Sequence, residues 1–551
     1  MLNSPSFIKT CTDNGQLQTT SICGRQAAAK RKAGADLYKQ AAGLGKKLRA
    51  NTGCICLLDL IYEVPRLLEV MHTKSLVSLS ATCSAIHQQV QAYVTGITGV
   101  HHTDFPFLVN QKRPLLSKLD LTDTQLHGHG MLLLVGGRWP VLTTLKLASN
   151  SLDSAAISVL VQAEWPALTT LDLQMNCLGA VAIHFLAQAN WPLLKELNLC
   201  ASNMDAAAVH HLVLGAWPKL EHLHLSRNPL LGTAAASYLV KSHWPLLKTL
   251  ALSGTQIGVT QLKSGGWPLL ESLNLASALA DDVVQLIAQR YEWQNVKHLD
   301  LSSSRLGTQD FLQFVDNEWP ALETLDISAI LLEQAMFLIV KGTSPPQPFH
   351  VTNLILNAVC CCKPAGIALC QALVRAQLPV LIVLSLGSNH LDDVALKYLM
   401  EGNWNRIQHL DLSQNQLDGE AVDILVKTDL RSLQVLLLDQ NSLDFWAVSQ
   451  LVRGKWHLLR RLSLQTSYIN GRLTPACLQQ LLKGNWPFLE TLQLSVVDVT
   501  AAALFFTGSA EVEWCEGVGW LTGTFSNASE AWPCLKVVKI HNHHHIAIGG
   551  M

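Results

Sequence analysis

The apolar and polar positions of this 551-residue chain repeat one pattern, mostly at intervals of 26 residues. Residues 215–230, GAWPKLEHLHLSRNPL, show it: a Trp-Pro pair opens a repeat, and an L-x-L pair begins six residues after the Trp. Strand side chains alternate between two faces, so leucines that alternate with polar residues predict a short strand with its leucines buried. The tryptophans that open repeats are Trp139, Trp165, Trp191, Trp217, Trp244, Trp267, Trp293, Trp319, Trp404, Trp456, Trp486 and Trp532.

Leucine is invariant at the sixth position after each start in the full repeats. These leucines are Leu119, Leu145, Leu171, Leu197, Leu223, Leu250, Leu273, Leu299, Leu325, Leu354, Leu384, Leu410, Leu436, Leu462 and Leu492. Farther along each repeat the apolar period changes, as between Ala156 and Leu160, which predicts a helix after each strand. Residue types that suit a helix N-cap lie fourteen positions after the starts. They are Asp153, Asp205, Asp281, Asp392, Asp418, Asp444, Asn470 and Thr500.

Glycine and asparagine mark the turns of the repeat. Glycine two residues before a start predicts a left-handed helix terminus, and the proline after the tryptophan prevents the helix from continuing. These glycines are Gly137, Gly215, Gly265, Gly402, Gly454 and Gly484. Asparagine eleven residues after a start can hydrogen-bond the backbone where the chain leaves the strand, although Thr, Ser or apolar residues interrupt this column. These asparagines are Asn150, Asn176, Asn228, Asn389, Asn415 and Asn441.

The motif L-x-x-L-x-L-x-x-N-x-L, followed by a helix at this period, resembles the leucine-rich-repeat family. The resemblance covers residues 113–505, about fifteen repeats, and a last partial repeat in 532–551, which also carries a His-containing tail. It implies an α/β solenoid of horseshoe form, with a concave parallel β-sheet, helices on the convex side, and a small all-α module in front. Since no repeat of this kind buries its apolar face alone, stability is expected to come from neighbouring repeats.

Two further segments lie outside the repeat pattern. Residues 1–53 contain lysines and arginines with few acids, which predicts a disordered basic arm, with a nuclear or organelle targeting signal as the alternative. Residues 506–531 interrupt a repeat and are interpreted either as a self-packed insertion or as a partner-binding loop. The histidines of the tail lack a fixed scaffold, so we expect no metal site there.

Residues 54–100 form the module before the repeats, and helical apolar spacing is dense in 57–94. One interpretation is a helical cap on the first repeat. The other comes from SLVSLSATCSAIHQQV, which resembles the second half of an F-box, with isoleucine where that family usually has tryptophan. This resemblance implies docking on the Skp-type adaptor of cullin-based ubiquitin ligases while the repeats hold a client. The adaptor-binding residues that it implies are Pro65, Leu67, Leu68, Leu76, Leu79, Cys83 and Ile86.

Composition narrows the classes of function. The net charge is −1 and the pI about 7.0, so bulk electrostatic binding of nucleic acid or an anionic membrane is not expected. No apolar run is long enough to span a bilayer and the amino terminus lacks an apolar signal core, which favours the cytoplasm or nucleus. Metal, nucleotide and hydrolase signatures are missing from the sequence. We therefore expect a protein that is not an enzyme and holds no cofactor.

The predicted concave wall supplies the candidate binding residues. Side chains seven residues after each start are expected to point into this wall, which is polar and lacks aromatic anchors. With neighbouring columns, the candidates are His222, His224, Arg227, His298, Asp300, Asp326, His409, Asp411 and Arg461. Asp300 and Asp326 fall on successive strands, but no general base or nucleophile accompanies them, so they are interpreted as solvated residues of the L-D-L-S frame.

Three functions remain open at this stage. The first is the substrate-recognition subunit of a cullin-type ubiquitin ligase. The second is a repeat scaffold or inhibitor-type binder in which 57–94 only caps the solenoid. The third is a regulator of small GTPases, which no particular residue supports. All three are protein–protein interaction functions without catalysis.

Overall fold

A computed structural model describes most of the repeat region as two compact units. The described residues are 96–98, 115–126, 128–137, 139–257, 262, 265–277, 295–304, 321–330, 351–376, 378–465, 473–495, 513–515, 518–522 and 532–541. The first unit includes the described residues up to Cys177 together with Gln188–Glu196, and the second includes Leu178–Ala187 and the chain from Leu197 onward. The arm 1–53 and almost all of 54–100 fall outside the described residues, as do Trp293 and Trp319.

Short strands alternate with helices along the chain, as the change of apolar period predicts. The strands are β1 (Gly96–Ile97), β2 (Lys118–Asp120), β3 (Thr144–Lys146), β4 (Thr170–Asp172), β5 (Glu196–Asn198), β6 (His222–His224), β7 (Thr249–Ala251), β8 (Ser272–Asn274), β9 (His298–Asp300), β10 (Thr324–Asp326), β11 (Asn353–Ile355), β12 (Val383–Ser385), β13 (His409–Asp411), β14 (Val435–Leu437), β15 (Arg461–Leu464), β16 (Thr491–Ser495), β17 (Glu513–Cys515), β18 (Val518–Thr522) and β19 (Val537–His541). The helices are α1 (Gly128–Gly136), α2 (Ser154–Leu160), α3 (Gly179–Leu186), α4 (Ala206–Leu212), α5 (Gly232–Leu239), α6 (Lys363–Arg375), α7 (Asp393–Leu399), α8 (Gly419–Lys427), α9 (Phe445–Leu451) and α10 (Pro475–Leu481).

The strands pair in parallel with one constant register. In the first unit β1 to β4 pair in chain order, and in the second β6 to β16 pair in chain order, followed by β19. Within each unit the invariant leucines pair from strand to strand, as Leu384 does with Leu410, and Leu492 of β16 pairs with Val538 of β19. This register confirms the predicted leucine-rich-repeat fold class, an open parallel sheet with helices between the strands.

The invariant leucines form the core of both units. All fifteen lie in strands, and the most exposed of them, Leu354, retains only 6% of its surface. Alanines and leucines on the inner side of the helices, such as Ala395 and Leu399, are fully buried against them. Removing a leucine side chain from water stabilises the fold by roughly 1.5–3 kcal/mol. One column of leucines therefore contributes apolar stabilisation in every full repeat.

Helix N-caps lie where the sequence places them in five repeats. Asp153, Asp205, Asp392, Asp418 and Asp444 each accept a hydrogen bond from a backbone N–H in the first turn of the helix that follows. The other predicted caps, Asp281, Asn470 and Thr500, lie outside the described residues. Helix α10 is capped by Thr474, four residues after Asn470, because its repeat is longer than the usual 26 residues.

The predicted asparagine column is buried and joins consecutive repeats. The Oδ1 of Asn415 accepts from the backbone N–H groups of Asn389 (2.9 Å) and Leu391 (3.0 Å). Its Nδ2 donates to the carbonyls of Leu386 (2.9 Å) and Leu412 (3.0 Å). The other five asparagines of the column bind neighbouring backbone in the same way. These bonds satisfy buried polar groups that a turn would otherwise leave without partners.

The predicted role of the glycines before each tryptophan is wrong. None of the six lies among the glycines with positive φ, which are Gly179, Gly232 and Gly254. Instead the indole ring of the next repeat covers the glycine. A Cβ on Gly137 would lie 2.5 Å from a ring carbon of Trp139, and one on Gly454 would lie 2.7 Å from Trp456. Before Trp165, Trp191 and Trp244 the same position holds Ala163, Ala189 and Ser242, so in these repeats it also carries a small side chain without a left-handed backbone. The sequence has Tyr291, Asn317 and Glu530 at this position before Trp293, Trp319 and Trp532.

The tryptophans stack on one another inside the repeats. Trp139 and Trp165 have ring centroids 6.4 Å apart, and Trp165 and Trp191 lie 6.5 Å apart, with interplanar angles of 17° and 16°. Trp486 and Trp532 form a third stacked pair at 6.0 Å. Each of these five rings retains at most 2% exposure. The Trp that opens a repeat therefore fills buried space between neighbouring repeats.

Part of the insertion 506–531 forms a hairpin that extends the sheet. Strands β17 and β18 pair with each other in antiparallel fashion, and β18 also pairs antiparallel with β19. The hairpin covers the edge that β19 would otherwise expose, which removes a template for pairing with other chains. Among the described helices, none is long and apolar enough to cross a bilayer.

Two adjacent glycines test the role assigned to the glycine column. Gly137→Ala is expected to destabilise the protein by roughly 1–3 kcal/mol because its methyl group overlaps the Trp139 ring. The matched control is Gly136→Ala, whose Cβ would meet nothing within 4 Å and which lies at the end of α1. Chemical denaturation of both variants measures the difference. Equal stabilities would show that the indole ring does not restrict this position.

Candidate functional site

The strand residues on either side of each invariant leucine form one continuous surface in the second unit, here called the polar face. The first column holds His222, Thr249, Ser272, His298, Thr324, Asn353, Val383, His409, Val435, Arg461, Thr491 and Val537. The second column holds His224, Ala251, Asn274, Asp300, Asp326, Ile355, Ser385, Asp411, Leu437, Ser463, Gln493 and Lys539. Most of these side chains are half-buried, so the surface is accessible and still ordered by its neighbours.

Eight of the nine predicted binding residues lie in these two columns. Arg227 is the ninth, and it lies in the turn after β6 with an exposed side chain and a left-handed φ of 59°. His298 and Arg461 are exposed, and the remaining six are half-buried. The residues predicted to bind an adaptor, from Pro65 to Ile86, lie outside the described residues.

The aspartates of the second column hold the backbone of their own turns. Asp300, Asp326 and Asp411 each accept a hydrogen bond from the backbone N–H two residues later, at 3.0, 2.9 and 2.9 Å. Asn274 forms the same turn at 3.0 Å. An oxygen acceptor at this position stabilises the exit from the strand. The recurrent L-D-L-S frame therefore has a structural cause, and these aspartates are more than solvated surface residues.

Cross-strand hydrogen bonds order several side chains of the polar face. The Nδ2 of Asn274 donates to Asp300 at 2.8 Å, and the hydroxyl of Ser385 donates to Asp411 at 3.0 Å. A ring nitrogen of His222 lies 3.0 Å from the hydroxyl of Thr249. These bonds reduce the freedom of the side chains before any ligand arrives, which lowers the entropic cost of binding.

A larger network covers the polar face near its carboxyl-terminal end. The hydroxyl of Ser463 donates to Asp439 (2.5 Å), whose carboxylate also accepts from the backbone N–H of Gln465 (2.7 Å). The Oε1 of Gln493 accepts from a guanidinium nitrogen of Arg461 (3.1 Å) and from the side chain of Gln465 (3.0 Å). Burial raises the pKa of Asp439, although the Ser463 bond opposes that rise. The sequence pattern did not single out Asp439, because it lies two residues beyond the second of the two columns considered.

The positive charge of Arg461 acts on two titratable groups in this region, His409 and Lys539. Burial lowers the pKa of His409, and the positive charge of Arg461 lowers it further, while the carboxylate of Asp411 raises it. Burial also lowers the pKa of Lys539, again with a contribution from Arg461. Lys539 was not predicted, because it lies in the last partial repeat, where valine replaces the invariant leucine.

Two further surface features have no counterpart in the predictions. One residue before each of the strands β6 to β9, opposite charges pair across repeats: Lys248 with Glu221 at 2.6 Å, and Lys297 with Glu271 at 3.2 Å.

At the start of α9, the aromatic side chains of Phe445 and Trp446 are 52% and 46% exposed. Trp446 is one of the few tryptophans that do not open a repeat, and this departure from the pattern is the sequence feature that could have identified it.

The described residues contain no group of three or more His, Cys, Asp or Glu side chains placed to hold a metal ion. Cys360 is buried, Cys361 is exposed and Cys362 is half-buried, so this run does not present three thiols to one point. Burial raises the pKa of the nearby Cys370 thiol, which makes it a poor nucleophile. The chemistry available on the polar face is hydrogen bonding and charge pairing.

Comparisons with known proteins concern the fold only. No family model matches the sequence, and no curated protein matches it. Among solved structures, the chain is similar to an internalin from Listeria monocytogenes, with 17% identity over 70% of this chain and 93% of that chain, and a TM-score of 0.35. The repeat architecture described above rests on the strand register and buried leucines of this chain.

Two neighbours of His409 on the polar face are expected to change its pKa in opposite directions. The pKa of His409 is expected to lie below its ordinary value of 6.5, to rise in Arg461→Gln and to fall further in Asp411→Asn. The asparagine keeps the turn acceptor, as Asn274 does. Because the folded-state pKa lies below the unfolded value, the free energy of unfolding should decrease as pH falls below about 6.5.

Histidine-labelled protein followed by NMR across pH 4–9 measures these shifts in the wild type and in both variants. A His409 pKa at or above 6.5, or shifts of the same sign in both variants, would contradict the assignment.

Proposed function

We propose that this chain is a non-catalytic repeat scaffold that binds a protein partner on the polar face. The observation that carries the proposal is the fixed register of half-buried side chains over twelve consecutive strands, β6 to β16 and β19. Eleven spacings of about 4.8 Å give this surface a length of roughly 53 Å along the strand-to-strand direction. That length suits a protein surface or a long peptide better than a small molecule.

The composition of the polar face supports the same proposal. Leucine, or Val538 in β19, occupies the opposite side of each strand, so most residues of the polar face take no part in forming the core. Its side chains hydrogen-bond one another across strands and offer donors, acceptors and apolar surface in fixed positions. A pre-organised surface of this kind binds with little loss of side-chain entropy.

A matched set of valine substitutions tests the location of binding. Peptides are selected from a random displayed library on the full chain, and their affinities are then measured for two variants. Val383→Ser with Val435→Ser alters the centre of the polar face, whereas Val181→Ser with Val394→Ser alters exposed valines on helices α3 and α7. We expect the first variant to lose about tenfold or more in affinity and the second to bind as wild type. Unchanged binding by the polar-face variant would overturn the proposal.

A narrower proposal concerns the segment 57–94. We propose that this chain recognises substrates for a cullin-type ubiquitin ligase, with the F-box-like segment on a Skp-type adaptor and a client on the repeats. The support is the sequence resemblance of SLVSLSATCSAIHQQV alone. The alternative is that 57–94 caps the repeats and the chain acts as a free scaffold or inhibitor-type binder.

Adaptor binding separates these two functions. The full chain is mixed with purified Skp-type adaptor and cullin, together with the variants Leu76→Asp/Leu79→Asp and Gln88→Glu/Gln89→Glu. If the segment is an F-box, wild type and the glutamine variant retain the adaptor and the leucine variant loses it. Absence of adaptor from the wild-type sample would eliminate the ligase function and leave the scaffold function intact.

A further inference from the structure

Charge is distributed unevenly along the polar face. From β6 to β14 the two columns contain the carboxylates Asp300, Asp326 and Asp411 and no lysine or arginine. On the three strands β15, β16 and β19 the same columns contain Arg461 and Lys539 and no carboxylate. The face therefore has an acidic part and a cationic end, although the net charge of the whole chain is only −1.

Between Asp326 on β10 and the cationic end, the face is more apolar than elsewhere, although Asp411 on β13 lies within this stretch and accepts a hydrogen bond from Ser385. Ile355, Val383, Val435 and Leu437 lie on strands β11, β12 and β14, and all four are half-buried rather than covered. Between Asp326 on β10 and Arg461 on β15 there are five strand spacings, or roughly 24 Å. An extended chain of about seven residues covers that distance.

Carboxylates of the acidic part retain capacity for an external donor. One oxygen of Asp326 accepts from the backbone N–H of Ser328. Within the described part of the chain, its other oxygen has no hydrogen-bond donor. Asp300 differs, because Ser302 donates to one oxygen and Asn274 to the other at 2.8 Å; both donors are neutral, so its negative charge has no cationic partner in the described region. By contrast, the positive charge of Arg461 acts on Asp439, whose bonds from Ser463 and Gln465 both go to one oxygen.

Neighbouring groups orient the cationic end. The guanidinium of Arg461 donates to Gln493 at 3.1 Å, which directs it along the sheet toward the strand that carries Lys539. Burial lowers the pKa of Lys539, and the positive charge of Arg461 lowers it further, so the two cations disfavour each other. An anionic group between them would relieve that repulsion.

We infer that the partner of the polar face is an extended segment with basic residues at one end, apolar residues in the middle and acidic residues at the other. The basic end lies on Asp300 and Asp326, the apolar middle crosses the valines of β12 and β14, and the acidic end lies between Arg461 and Lys539. This inference rests on the proposed function and assigns the chemistry of the partner. Charge complementarity of this kind gives specificity and orientation more than affinity.

Designed peptides test the inference on the full chain. The probe is a ten-residue peptide with two lysines at one end, alternating Val and Ser in the middle and two glutamates at the other end. One control peptide has the same composition with the charges interleaved. Two others replace the glutamates by lysines, or the lysines by glutamates, so that both ends carry the same charge. We expect the probe to bind about tenfold more tightly than each control, and its affinity to fall with added salt.

Substitutions at one end should change which peptide is preferred. Asp300→Asn with Asp326→Asn removes the charge and keeps the turn acceptor, so the preference for the probe should weaken about tenfold. Asp300→Lys with Asp326→Lys should prefer the peptide with glutamates at both ends; lysine occurs naturally in this column as Lys146. The surface control, Glu401→Gln with Glu420→Gln, should behave as wild type.

The variant Arg461→Glu with Lys539→Glu reverses the charge of the cationic end. It should prefer the peptide with lysines at both ends. Circular dichroism checks that each variant is folded. Equal affinity of wild type for all four peptides, or no change of preference in the reversed variants, would overturn the inference. Library peptides that depend on Val383 and Val435 but not on these charges would overturn it while leaving the proposed function standing.

Discussion

The buried asparagine between consecutive repeats is the interaction on which the rest of the structure depends. After each strand the chain turns through a left-handed residue, and in most repeats this residue is not glycine: Ser388, Gln414 and Gln440 have φ of 59°, 55° and 58°. Such a backbone is costly for a side chain with a Cβ, so it needs support from its surroundings. The asparagine that follows binds carbonyls and N–H groups of its own repeat and of the preceding one. Each turn that carries this asparagine is therefore stabilised by a neighbouring repeat, as the leucines are.

This dependence on neighbours explains the regularity of the polar face. A shift of one residue would move every strand leucine from the core to the exposed side, so the buried leucines fix the register. The exposed residues inherit that register without contributing to the core, and their identities can vary from repeat to repeat. His409, Val435 and Arg461 follow one another in the same column. The repeat thus separates the residues that maintain the fold from those free to define a binding surface.

Much of the fold could be predicted because the decisive residues recur at fixed spacing. Leucine, asparagine and the capping aspartates appear many times, and each has one dominant physical use. The left-handed turn residues could not be predicted, since serine, glutamine and arginine do not favour that backbone. The glycine column suggested a conformational role because a sequence does not reveal which ring lies over a position; Trp456 covers Gly454 in space. The candidate columns followed from strand alternation, but the network around Asp439 depends on contacts that no period encodes.

The polar face has no aromatic anchor, which constrains the kind of recognition it can provide. Interfaces with buried tryptophan or tyrosine obtain much of their affinity from a few residues, whereas charge pairs at a half-exposed surface contribute modestly and weaken with salt. Affinity must then come from many small contacts over a long surface. The constant strand register provides such contact positions at regular intervals along the sheet. Charges separated along the polar face also distinguish one orientation of the partner from the other, because the reversed partner would place like charges together. A surface without anchors can therefore still be selective, provided that its charges are ordered along its length.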